Sequence, residues 1–183
     1  AGGAWVVPGF VDVHVHGGCG SDTMDADSRS LDTIAAGLTA HGVTAFCPTT
    51  MTMSPGRVEA ALDAIKGVMG AGGDGAVVLG GHLEGPFISP DRVGAQDGAF
   101  VRRPDPELVR RRRDVLRLVT FAPEEDECGI FLRALLEAGV VPSVGHSRAT
   151  YEQAMQAFRR GAESTTHLFN GMPPFHHRTP GVA

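Results

Sequence analysis

No part of the 183-residue chain is an apolar run long enough to cross a bilayer, so the sequence names no membrane span. An excess of positive charge is also missing. The formal net charge of −5 gives no electrostatic reason for binding nucleic acid or an anionic membrane. Cysteine is sparse: Cys19, Cys47 and Cys128 are odd in number and far apart. That excludes a disulfide framework and a CxxC metal knuckle, and it fits a reducing, cytoplasmic setting. The first residues, AGGAWVVPGF, lack an initiating Met and the basic start and apolar centre of a secretion signal. They enter a strand pattern almost at once, so we expect the chain to begin inside a longer protein. Low-complexity stretches, fixed repeats and linkers are absent as well. With 42% hydrophobic and 20% charged residues, the composition is that of one soluble globular domain over 1–183.

What is abundant is glycine, at 25 residues, roughly twice the usual 7% share, which implies many tight turns. Between the turns, segments of strand character recur at Val11 to Val15, Val43 to Cys47, Val77 to Leu83, Leu116 to Phe121, Val140 to Val144 and Ser164 to His167. Most are separated by helical spacing. Leu31, Ile34, Ala35 and Leu38 form one stripe, with Ser30 as the expected N-cap and Gly42 past the end. Ser54-Pro55 opens a second helix carrying Val58, Leu62, Ile65 and Met69, and Asp105-Pro106 opens another. Thr150 with Gln153 reads as a capping box, with Met155 and Phe158 facing inward and Gly161 as the stop.

Strands alternating with helices predict an α/β fold with a parallel sheet, either doubly wound or part of a (β/α)8 barrel. The polar residues favour the barrel. They gather at the C-terminal ends of four non-adjacent strands, as functional groups do at a barrel mouth. About six βα units are present, so the barrel is incomplete by two strands.

In PGFVDVHVHGG, the valines at 11, 13 and 15 alternate with Asp12, His14 and His16. A β-conformation sends the valines to one face and the carboxylate and imidazoles to the other. His14 and His16 are then placed to chelate one divalent cation, and Asp12 to hydrogen-bond a ligand imidazole from behind. An isolated HxH pair is equally consistent with two histidines satisfied by hydrogen bonds. In GGHLEGPF, Glu84 is the last residue before the turn, where an uncompensated carboxylate is costly to desolvate and metal coordination is a reasonable role. His82 shares its face and reads as a hydrogen-bonding residue of the barrel interior. His146 ends the fifth strand in SVGHS, and His167 ends the sixth in STTHLFNGM. Five N/O donors at four strand ends form a candidate metal site.

These stretches, with GVTAFCPTT, GAFVRRP, VGHSRAT and THLFNGMPPFHHRTPG in the same order, resemble the amidohydrolase superfamily and, within it, the N-acetylglucosamine-6-phosphate deacetylase family. The resemblance implies a metal-dependent hydrolase barrel whose small N-terminal β-domain and last strands lie outside this chain. It implies that Glu84, His146 and His167 hold the principal metal, with His14 and His16 at a second-metal position. One or two divalent ions per subunit follow, zinc first, then iron, manganese or cobalt. The implied reaction is deacetylation of an amino-sugar phosphate. The general-base aspartate would come from strand eight, beyond Ala183, so the piece alone is expected to be inactive. Asn170 and Gly171 match the sugar-phosphate contacts. Arg178 matches an arginine that reaches the phosphate of the neighbouring subunit, implying a homodimer. Gln96 stands where many relatives have a histidine touching the acetamide carbonyl; its amide donates but does not titrate.

Other features read more plainly. Arg110 to Arg113 sit on a helix without aromatic interleaving, as a solvated face. Cys19 reads as a small buried side chain rather than a soft ligand. His176 and His177 lie on a loop near the expected entrance, without an assigned role. The alternatives to deacetylation are another amidohydrolase acting on a cyclic amide or other N-acyl substrate, and a metal-binding remnant without turnover.

Overall fold

The computed structural model describes residues 2–71 and 73–183. In chain order the strands and helices are β1 Phe10–Val15, β2 Gly17–Gly18, β3 Ser21–Asp22, α1 Ser28–Thr39, β4 Val43–Pro48, α2 Pro55–Val68, β5 Val77–Val78, β6 Gly81–Glu84, α3 Pro106–Arg112, β7 Leu116–Phe121, α4 Ile130–Glu137, β8 Val141–Val144, α5 Tyr151–Arg159 and β9 Ser164–Thr165. The pairs β1·β4, β4·β5, β6·β7, β7·β8 and β8·β9 are all parallel. An isolated parallel bridge from Thr49 to His82 joins the two sheets.

Each barrel strand therefore lies beside the next one in sequence, with a helix in each connection. A doubly wound sheet would reverse its order at a switch point. The unbroken order is that of a (β/α)8 barrel, represented here in part.

The third expected strand, Val77 to Leu83, is split. Val77–Val78 pairs with Ala45 and Phe46, and Gly81–Glu84 pairs with β7. The break falls at Gly80, whose φ of 142° suits glycine alone. A Cβ there would lie 2.6 Å from the Val115 carbonyl oxygen.

Helix caps follow local chemistry. Asp27, not the expected Ser30, caps α1, accepting the Ser30 backbone N–H at 2.8 Å. An ionised carboxylate is the stronger acceptor at a helix N-terminus. Asp105 caps α3 as expected, and Thr150 with Gln153 forms the capping box of α5. On α5 the small Ala154 and Ala157 are buried, and Met155 and Phe158 are only half-buried. α4 was not singled out by spacing. Its N-cap position is Gly129, and Asp126, three residues before it, reaches over to accept the N–H groups of Phe131 and Leu132.

The core lies between the strands and the helices, built on Phe46, Leu62, Ile65, Leu83, Val119, Phe121, Phe131 and Leu135. β1 departs from expectation: of its valines only Val15 meets this core, and Val11 and Val13 stay exposed. α1, which follows β1, packs on β2, β3 and β4 instead. Arg112 of α3 pairs with Glu59 and with Asp63 at 2.5 Å, and Arg111 with Glu59, all acids of α2. The arginine run is thus the solvated face expected, with Arg110, Arg111 and Arg113 exposed, and Arg112 alone half-buried where it clasps α2. Cys19, expected to be buried, is exposed in the turn between β2 and β3. Among the described residues, no helix is long and apolar enough to cross a membrane.

Candidate metal centre

Glu84 ends β6 with its side chain only 1% exposed. Its Oε1 faces the Nε2 atoms of His167 at 2.8 Å, His146 at 3.2 Å and His14 at 3.4 Å. Its Oε2 faces His16 Nε2 at 2.9 Å. The two Nε2 atoms of His14 and His16 are 3.2 Å apart. Four of the five donors predicted from sequence are therefore gathered around the fifth, the Glu84 carboxylate, from the ends of β1, β6, β8 and β9. One trio, His14, Glu84 and His167, has ligand atoms that all lie within 4.8 Å of one another.

The backbone turns two of the rings inward. His146 and His167 have φ values of 47° and 58°, left-handed conformations that cost on the order of 1–3 kcal/mol for a residue with a side chain. Other contacts fix ring orientation. His16 Nδ1 lies 3.2 Å from the Thr49 carbonyl, and His146 Nδ1 lies 2.7 Å from the Arg92 carbonyl. Carbonyls only accept, so Nδ1 carries the proton and Nε2 turns toward Glu84.

That arrangement tests the site for a cation. A neutral imidazole then points a lone pair at a carboxylate oxygen, which is repulsive unless a proton or a metal ion lies between them. Four protonated rings would overcharge one carboxylate in a closed pocket, and His14 and His16 cannot both turn a proton toward the other. A divalent ion answers both problems. The separations of Glu84 from its imidazoles, 2.8–3.4 Å, also bracket the ~3.3 Å ligand edge of a tetrahedral site with bonds of ~2.0–2.1 Å. The residues fit the group.

Without metal, burial pushes the Glu84 carboxyl up, but the imidazoles of His14, His146 and His16 reverse this and hold it far below the usual range. Burial lowers the His16 and His146 rings; Glu84, with the Thr49 and Arg92 carbonyls, outweighs it and leaves both raised. His167 ends lowered, because burial and the His14 ring outweigh Glu84.

Under the cluster runs a chain of hydroxyls. His82 Nδ1 meets the Val13 carbonyl at 2.9 Å, so its Nε2 accepts from Thr120 Oγ1 at 2.7 Å. Thr166 then donates to Thr120 at 2.8 Å, and Ser143 to Thr166 at 2.7 Å. His82 is thus the interior hydrogen-bonding residue anticipated, and burial, then the His14 ring, hold it neutral, lowered to about 3. Thr49, Thr120, Ser143 and Thr166 were not foreseen; the one signal was polar residues at inward positions of otherwise apolar strands.

Asp12 does not reach an imidazole. Its Oδ1 accepts the His14 backbone N–H at 3.0 Å, bracing the strand itself, because the neighbouring amide is nearer than the ring. Gln96 donates to Glu84 Oε2 at 2.7 Å, a contact that the sequence does not disclose. Gly171 lies against the His146 ring, and Asn170 is exposed on the loop after β9. Arg178 lines a separate cleft of about 480 Å³ with Tyr151, Pro173 and His176.

A barrel mouth with this donor set is a candidate metal centre, and the amidohydrolase family model matches residues 5–180; the chain belongs to that family. Membership implies a divalent metal. More narrowly, the chain is 41% identical over 184 residues to the N-acetylglucosamine-6-phosphate deacetylase of Bacillus subtilis, covering 97% of this chain and 46% of that protein. It is 42% identical over 194 residues to the Mus musculus enzyme of that name, covering 99% and 46%. A mutant N-acetyl-D-glucosamine-6-phosphate deacetylase from Mycobacterium smegmatis, solved with N-acetyl-D-glucosamine-6-phosphate, superposes with a TM-score of 0.90 at 39% identity, covering 97% of this chain and 46% of that one. The chain spans about half the length of these relatives.

Proposed function

We propose that the intact protein hydrolyses the acetamide of N-acetylglucosamine 6-phosphate to acetate and glucosamine 6-phosphate. The observation that carries the chemistry is the buried Glu84 carboxylate facing four imidazole Nε2 atoms. The relatives' names support the substrate.

In this reading Glu84, His146 and His167 would hold the principal ion, zinc first among candidates, and His14 and His16 with Glu84 would form a second position. A divalent ion there acidifies a water and polarises a carbonyl. The chain's own part is orientation. The Arg92 carbonyl holds His146, the Thr49 carbonyl holds His16, and the left-handed backbone at His146 and His167 aims both rings at one point. Preset geometry spares reorganisation during the reaction. Asn170 and Gly171, next to that point in sequence, contact the sugar phosphate. Arg178 completes a neighbouring subunit's site in a homodimer, its planar fork matching two phosphate oxygens.

The test is release of free amine and acetate from N-acetylglucosamine 6-phosphate by the intact protein, with and without a chelator. The expected result is turnover abolished by chelation and restored by Zn²⁺. Absence of any chelator-sensitive release overturns the reading.

A further inference from the structure

Gln96 belongs to no strand or helix, lying in the loop between the short turns Pro90–Arg92 and Gly98–Phe100, yet it is 7% exposed. Its Oε1 accepts the Thr52 backbone N–H at 2.5 Å, and its Nε2 donates to Glu84 Oε2 at 2.7 Å. The same nitrogen lies 3.7 Å from the Met51 sulfur. A backbone N–H only donates and an ionised carboxylate only accepts, so the amide fits one way round.

Held at both ends, this side chain ties Thr52 after β4, 44 residues away in sequence, to Glu84 at the end of β6, 12 residues away. The terminal torsion of a glutamate is broad and nearly free. Gln96 removes that freedom, keeping Oε2 toward His16 and leaving Oε1 for His14, His146 and His167. Its amide nitrogen, the only donor an acyl carbonyl could use, already has Glu84 Oε2 and the Met51 sulfur as neighbours.

We propose that Gln96 is a positioning residue for the metal centre, acting through the plane of the Glu84 carboxylate, and not a contact to the acyl group. This rests on the metal reading above. The test is Zn²⁺ affinity of the intact protein and of Gln96→Leu, measured by competition with a fluorescent chelator. The visible spectrum of the Co²⁺-loaded forms is recorded beside it. Removing an outer partner of a ligand weakens metal binding by ~10–100-fold, and that loss is expected here, with an altered Co²⁺ spectrum. Turnover should fall at limiting Zn²⁺ and recover as Zn²⁺ is raised. Gln96→Met, which keeps the length and loses both polar contacts, carries the same test if the leucine variant does not fold. Parent-like Zn²⁺ affinity with collapsed turnover at saturating Zn²⁺ places Gln96 on the substrate and overturns the proposal. A parent that takes up no Zn²⁺ sinks the metal reading itself, and the proposal with it.

Discussion

The strand ends and the loop that follows β9 lie side by side, but they are built in opposite ways. At the strand ends Glu84 is sealed, and His16, His82 and His146 each have a ring nitrogen tied to a carbonyl. In the loop, Asn170, His176 and Arg178 are exposed. The contrast separates two tasks. A cation must be met by donors already in place, because reorienting buried charges is costly. A phosphorylated sugar arrives with its own charges, and an exposed guanidinium can close on it afterwards.

The strongest way to break the contrast is Glu84→Gln, which leaves the imidazoles without their common counter-charge. Loss of the several kcal/mol a metal supplies to a developing negative charge lowers turnover by about 10³-fold or more. Metal analysis after dialysis should find the variant empty. If Glu84→Gln retains both ion and activity, the locked region is not the reaction centre.

A smaller effect sharpens the buried side. His82 is lowered to about 3 in the folded protein, whereas an unfolded imidazole takes a proton near 6.5. Between those values the unfolded chain binds the extra proton, so the contribution of neutral His82 is present above pH 6.5 and is lost as pH falls toward 3. The slope is about 1.4 kcal/mol per pH unit for one proton. The raised His16 and His146 act with the opposite sign in parent and variant alike. Urea melts of metal-free parent and His82→Gln, at pH 7 and pH 5, should therefore show a shallower acid loss in the variant.

The smallest effect probes the open side. Arg178→Ala should raise KM for the phosphorylated sugar by about 10-fold, the value of one charged hydrogen bond. Stability should move by less than about 0.5 kcal/mol, as for an exposed substitution. Zn²⁺ affinity should not change. Loss of metal in this variant would show that the two regions are not separate.

The same division governs what the sequence discloses. Alternation along β1 placed His14 and His16 on one face, the Gly85-Pro86 turn marked Glu84 as a strand end, and the close of an apolar run marked His146, because period and turn chemistry are local. Contacts spanning long stretches left no such trace. The carbonyls that hold His16 and His146 come from Thr49 and Arg92, 33 and 54 residues away. The amide of Gln96 turned to Glu84, which no spacing rule foretells. The split of the third strand at Gly80 was hidden in an apolar run that reads as continuous, and α1 began at Asp27 because a charged cap outcompeted the nearby serine.

His146 and His167 sit in torsions where glycine or asparagine would be at ease. A lineage released from holding an ion would drift toward those residues and grow hardier as its chemistry vanished. On the proposed metal reading, heat resistance and ion loading pull against each other at the same two backbone positions, so selection for endurance alone would enrich molecules with an emptied site.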